Sequence, residues 1–181
     1  MERKCQVVIT TSRHPSKKTL ELINDLVNSF PNTCKIVRGK KSFITVLEEA
    51  VRYEAEHIMF IWDRRGMPSA IVFYEVQKRR WKPYMIIISG IKTRRELPVY
   101  TTRRAPAKNA VIVDTAGGEL GEILSEVFKY PLIYDLNHVK GTFDTIIHIR
   151  PREGYFVEIL GRDFGPRASL LKIKKIIYRY V

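Results

Sequence analysis

Ala110–Leu124 reads AVIVDTAGGELGEIL. An apolar run ends at Asp114, and Gly117 and Gly118 supply a flexible turn. Leu120, Ile123 and Val127 then recur at helical spacing, with Glu119 and Glu122 near the positive end of the helix dipole. The same outline stands near the start of the chain, in Val7–Pro31, VVITTSRHPSKKTLELINDLVNSFP. Val7–Thr11 matches Val111–Thr115. Leu20, Ile23, Val27 and Phe30-Pro31 correspond loosely to Leu120, Ile123, Val127 and Tyr130-Pro131. Any strand–turn–helix unit shares this outline. Its placement at the start of each half of the chain is what points to an internal duplication.

The remaining segments fit an α/β reading. Ser16 is placed to cap the first helix, which Phe30-Pro31-Asn32 stops. Cys34–Val37 is a short strand. Ser42 or Thr45 opens a second helix with Phe43, Val46, Leu47, Ala50 and Val51 inward. His57–Trp62 is a third strand. Ser69–Val76 and Tyr84–Ile91 form an antiparallel hairpin across QKRRWKP. Residues 92–109 have no periodicity and hold six basic residues, one acidic residue and two prolines, so they read as a connector. Leu132–Tyr134, Phe143–Arg150 and Tyr155–Gly161 are strands. The last segment, ASLLKIKKIIYRYV, reads as a strand with Leu171, Ile173 and Ile177 on one face and Lys172 and Lys174 on the other. The expected division is 1–91, a basic connector 92–109, and 110–181.

Charge is the most informative bulk property. The 181 residues include 32 Lys and Arg against 19 Asp and Glu, a net of +13. Residues 110–158 contain four basic and eight acidic residues, a net of −4, so the rest carries +17. A basic excess confined to part of a chain suggests a polyanionic partner, nucleic acid first. No segment is long and apolar enough to span a bilayer, and the start lacks the apolar core of a signal peptide, so a cytoplasmic protein with no membrane partner is expected. Cys5 and Cys34 are expected to be reduced, buried thiols. The four histidines are scattered without ligand spacing, so no metal is expected.

DTAGGE, Asp114–Glu119, also resembles the magnesium-binding loop of small GTPases. A nucleotide site needs a glycine-rich cradle with Lys-Ser/Thr, and VRGKKS, Val37–Ser42, lacks the upstream glycine and the spacing. NHVK at 137–140 lacks the aspartate of a base reader. No nucleotide or other cofactor is therefore expected. His14 beside Arg13 could assist phosphodiester chemistry, but no partner carboxylate accompanies it in the sequence. Asp63 before Arg64-Arg65 reads as an ion-paired turn residue. The chain is expected not to be an enzyme.

The basic residues gather in turns. TTSRHPSKKT offers the hydroxyls of Ser12, Ser16 and Thr19, a helix N-terminus, and Arg13, His14, Lys17 and Lys18. It has no glycine, which suits a sugar-phosphate chain better than a pyrophosphate. Arg38, Lys40 and Lys41 form a second basic turn, Arg64 and Arg65 a third, and Arg79 and Arg80 a fourth. Arg94, Arg95, Arg103 and Arg104 lie in the connector, and Arg167, Lys172 and Lys174 near the end. Trp81, Tyr84 and Tyr100 lie among them and either pack or stack on bases.

ITTSRHPS, the helix ending in FPN, Arg38-Gly39, FIWDRRGMPSAIVFY and GPRASLLKIKKI together resemble the Brix domain of ribosome-biogenesis proteins, in its compact archaeal, Imp-like form. The resemblance spans nearly the whole chain. It implies two similar α/β halves with mixed sheets, related by pseudo-two-fold symmetry. Each half would be similar to the anticodon-binding domain of class IIa aminoacyl-tRNA synthetases. It implies a non-catalytic factor that binds rRNA or pre-rRNA during subunit assembly, with ribosomal or other assembly proteins as further partners. Thr11, Ser12, Arg13 and Pro15 match its first motif, Arg38-Gly39 the second, and Gly165, Pro166, Arg167 and Leu171 the late one. Two other functions are compatible with the residues: an RNA-processing enzyme using His14, or a scaffold docking basic ribosomal proteins through 110–158.

Overall fold

The computed structural model of the chain describes residues 4–97 and 105–179. Among these described residues are ten strands and three α-helices: β1 Val7–Thr11, α1 Lys17–Ser29, β2 Thr33–Lys35, α2 Phe43–Arg52, β3 His57–Arg64, β4 Met67–Glu75 and β5 Arg80–Lys92. There follow β6 Ala110–Asp114, α3 Glu119–Phe128, β7 Leu132–Ile133, β8 Thr145–Arg152, β9 Gly154–Leu160 and β10 Leu170–Tyr178. The caps fit the sequence. Ser16 accepts from the Thr19 N–H and Ser42 from the Thr45 N–H, as a helix start requires.

All ten strands belong to one sheet, ordered β2-β1-β3-β4-β5-β10-β9-β8-β6-β7. β1 is parallel to β2 and β3, and β6 is parallel to β7 and β8; every other pairing is antiparallel. Two separate mixed sheets were the expectation. The final strand overturns it, because β10 pairs with β5 on one side and β9 on the other and fuses everything into a single sheet.

Alternation along the strands sorts the core. Val7, Ile9, Met59, Ile61, Ile86, Ile112, Ile147 and Ile173 face α1 and α3, whose Leu22, Ile23, Leu26, Leu120, Ile123 and Val127 complete one shared core. Val8, Ile58, Phe60 and Val72 face the opposite way and pack under Val46 and Ala50 of α2. A smaller cluster of Val111, Val113 and Ile146 lies beneath Val139 of a short 3-10 turn, Leu136–Val139.

Several expectations are corrected. The inward face of α1 is Leu22, Ile23 and Leu26; Leu20 is exposed and Val27 half-buried. Val51 of α2 points outward. The β4–β5 connection is shorter than QKRRWKP, so Arg80, Trp81 and Lys82 lie in β5. Register shifts in β10 around Ile173 put Ile176 toward the core and leave Ile177 exposed. Cys5 and Cys34 are joined as a disulfide, with Cα atoms 5.8 Å apart, inside the ordinary range for that bond. They meet because Cys34 is in β2 and the segment entering β1 runs beside it, a placement that spacing does not reveal.

Candidate nucleic-acid interface

Parallel pairing of β1 with β2 and β3 sends their three C-terminal ends to one edge of the sheet. The loops that leave this edge are 12–16, 36–42 and the β3–β4 turn. The first three basic turns of the sequence therefore converge in space. Crevices outside the C-terminal ends of parallel strands are common ligand positions. The β3–β4 turn is tight. Arg64 pairs with Met67, and Arg65 and Gly66 both have positive φ, 52° and 74°. That is the pattern of a two-residue primed hairpin turn, and it projects two arginines past the sheet edge.

Asp63 organises the edge. It accepts from the Ser16 N–H, from the Ser16 hydroxyl at 3.2 Å and from the Thr19 hydroxyl. The sequence suggests an ion-paired turn residue; the structure makes Asp63 a clamp on the start of α1 instead. The hydroxyls of Ser16 and Thr19 are thereby occupied, and a carboxylate already sits at the helix N-terminus. The unpaired positive charge at this edge therefore belongs to the side-chain cations and not to the helix start.

The cations divide by partner. Lys18 pairs with Glu96 at 2.8 Å and Lys41 with Glu49 at 2.6 Å. Arg13, His14, Lys17, Lys40, Arg64 and Arg65 are exposed, and among the described residues none of them forms an ion pair. Arg38 is half-buried, with its guanidinium carbon 5.8 Å from the centre of the Phe60 ring. Burial, and then the neighbouring charge of Arg13, push its pKa below the usual value. Charge near Arg38 is thus of one sign, which favours its neutralisation by an anion.

The other expected site residues lie elsewhere. Arg79 and Arg80 are at the opposite end of β4 and β5, where Glu75 gathers Lys78 at 2.7 Å and Arg80 at 3.0 Å. Arg94 and Arg95 lie near Asp25 and Glu21, each at 3.8 Å. Arg103, Arg104 and Tyr100 lie outside the described residues. Arg167 is a correction. It is buried, and Nη2 donates to the carbonyls of Ala105 at 2.5 Å and Asn28 at 3.4 Å, so it joins α1, the connector and the approach to β10 rather than facing a phosphate. Lys172 and Lys174 are exposed on β10, three strands from β3, about 14 Å at ordinary strand spacing. Trp81 packs against Phe43, Phe60 and Tyr74 and keeps 46% of its surface exposed. Tyr84 is core, and burial pushes its phenol up.

DTAGGE proves to be a closed turn. Asp114 is buried, and its Oδ1 accepts from the N–H groups of Ala116 and Gly117 at 2.9 and 3.0 Å. A Cβ on Gly118 would strike the Tyr155 ring and one on Gly121 would strike Asp114, so these glycines serve packing. Thr115 and Glu158 flank His148, at 3.3 and 3.5 Å, in an order that outlines a hydroxyl–imidazole–carboxylate triad. The Thr115 hydroxyl donates to the Ile149 carbonyl at 3.0 Å, so its proton is directed away from the imidazole. Sequence reasoning missed the roles of Asp63 and Phe60. Their partners lie tens of residues away, and no local spacing announces them.

No family model matches the sequence. A "Probable Brix domain-containing ribosomal biogenesis protein" of Pyrobaculum aerophilum is 65% identical over 181 residues, covering 100% of both chains. A protein of the same description from Saccharolobus solfataricus is 36% identical over 86 residues, 48% of this chain and 50% of that one. Among solved structures, a probable ribosomal biogenesis protein from Aeropyrum pernix K1 superposes with a TM-score of 0.74 at 21% identity, covering 94% of this chain and 96% of that one. Mil, an archaeal Imp4-like protein, superposes with a TM-score of 0.67 at 20% identity over 94% and 99% of the two chains. The structural likenesses establish the mixed α/β fold. The relative that is 65% identical over both whole chains establishes that this chain belongs to the Brix domain-containing ribosomal biogenesis proteins.

Proposed function

We propose that the chain is a non-enzymatic, cytoplasmic factor of ribosome biogenesis that binds rRNA or pre-rRNA through the loops at the ends of β1, β2 and β3. One observation carries the reading: parallel β1, β2 and β3 bring the exposed Arg13, Lys17, Lys40, Arg64 and Arg65 to one end of the sheet, with no ion pair on any of them among the described residues. The relatives' description as ribosomal biogenesis proteins supplies the biological setting. Filter binding to an rRNA fragment across a salt series is the test. With about six phosphates neutralised, affinity falls on the order of a thousandfold between 50 and 200 mM salt. Absent or salt-insensitive binding overturns the reading.

The two-halves reading, 1–91 and 110–181 about a connector 92–109, belongs to the same proposal, as does the likeness of each half to an anticodon-binding domain. Its support is the strand order, in which parallel and antiparallel pairings read the same from either edge of the sheet. The scaffold alternative loses weight because three of the eight acids of 110–158 are ion-paired to Lys or Arg within the chain: Glu126 with Lys82, Asp144 with Arg162, Glu158 with Arg150. The enzyme alternative loses weight because Asp63 is committed to α1 and His14 has no carboxylate within ion-pair distance among the described residues.

A further inference from the structure

Strand register lays Gly90 of β5, Lys172 of β10, Phe156 of β9 and Arg150 of β8 in one row across four neighbouring strands. The row lies on the face opposite α1 and α3, since the adjacent Tyr155 packs against their core. No helix among the described residues covers this part of that face. Two guanidiniums cover Phe156: the Cζ atoms of Arg150 and Arg152 are each 4.9 Å from its ring centre. The stem of Lys172 runs over Gly90, where a Cβ would lie 3.4 Å from its Cδ. Ser89 donates to the Lys172 carbonyl at 3.3 Å. Arg150 also pairs with Glu158 at 3.0 Å, whereas Arg152 and Lys172 make no ion pair among the described residues.

This is a chemistry different from that of the basic loops. A guanidinium held against an aromatic ring is a stacking platform for a nucleobase, and a lysine one strand away can meet a phosphate. Bases within a duplex have no free face, so such a platform selects unpaired nucleotides. We infer that this row is a second RNA-binding surface, in which an unpaired base stacks on the Arg150–Phe156–Arg152 cluster and its phosphate meets Lys172. The inference rests on the RNA-binding reading above and adds a preference for single strands. It also gives basic residues of the net-acidic segment a role in binding.

The test uses the full chain, fluorescence anisotropy, and two probes at one salt concentration: a short single-stranded RNA and the corresponding duplex. Arg150→Lys with Arg152→Lys keeps the charge and removes the planar groups. Single-strand affinity is expected to fall about fivefold or more while duplex affinity is unchanged. Lys172→Ala is expected to reduce the salt slope for the single strand by about one. Unchanged single-strand affinity in the double variant, or an equal loss on both probes, overturns the inference. The loop reading is judged separately by Arg64→Glu with Arg65→Glu, which lowers binding of both probes if that reading holds. Binding of neither probe by the wild type overturns both.

Discussion

The Tyr130 phenol donates a 2.6 Å hydrogen bond to the backbone carbonyl of Pro31, ninety-nine residues earlier. Around it Phe30 meets Phe128 edge-on at 5.1 Å, and Phe128 stacks on Tyr130 at 5.5 Å. Thr145 adds a bond to the Ser29 carbonyl at 2.5 Å. The Phe-Pro and Tyr-Pro pairs that end the two similar segments of sequence thus pack against each other. Tyr130→Phe keeps the ring and strands a buried carbonyl. It should cost about 1–3 kcal/mol, read as a lower urea midpoint with unchanged m-value.

The disulfide makes a second stability prediction. Cys5 and Cys34 close a loop with a sequence separation of 29. By the chain-entropy account such a closure contributes about 3–4 kcal/mol. Cys5→Ser with Cys34→Ser should melt well below the wild type, and reductant should lower the wild-type melting temperature while leaving the double variant unmoved.

Glu75 makes a prediction in pH. Its carboxyl is held at about 2, down from 4.5, first by the hydrogen bond from Lys78, with Arg80 and Lys82 adding to the effect against the opposing cost of burial. A depressed carboxylate contributes stability that is present above its unfolded pKa and is lost as pH falls through the folded value. The wild type should therefore lose stability from about pH 4.5 down toward 2. Glu75→Gln should show a flatter acid limb over that window, checked by urea midpoints at each pH.

Arg167 separates a structural arginine from a binding one. Its guanidinium donates to two backbone carbonyls in a buried site. Arg167→Met should destabilise the chain by about 2–4 kcal/mol, because those carbonyls lose a charged donor. At temperatures where the variant is folded, the salt slope of RNA binding should equal that of the wild type.

What was legible in the sequence is local. Ser16, Ser42 and Pro31 mark helix ends because capping and ring geometry act over a few residues. The basic turns could be read singly, and their convergence followed from parallel strand order. What was hidden depends on partners distant in sequence. Asp63 clamps α1 from the far side of α2, and β10 closes one sheet where two were expected. Leu20 and Val27 stand three and four residues from Ile23, and Leu26 stands three from it, so periodicity alone did not choose the buried stripe. Arg167 looked like the other arginines because its partners are backbone carbonyls, which carry no residue signature.

The last prediction concerns the loop edge itself. Arg13 and Lys17 are exposed, and among the described residues neither has an acidic partner. Arg13→Glu with Lys17→Glu reverses two charges without disturbing the Asp63 bonds to Ser16 and Thr19 that hold the turn. The melting temperature should therefore stay close to that of the wild type. RNA affinity should fall more than tenfold at low salt, and the slope of log K against log salt should shrink by about two, one for each phosphate no longer neutralised. Unchanged affinity with an unchanged slope would take this turn out of the footprint and leave Lys40, Arg64 and Arg65 to carry it.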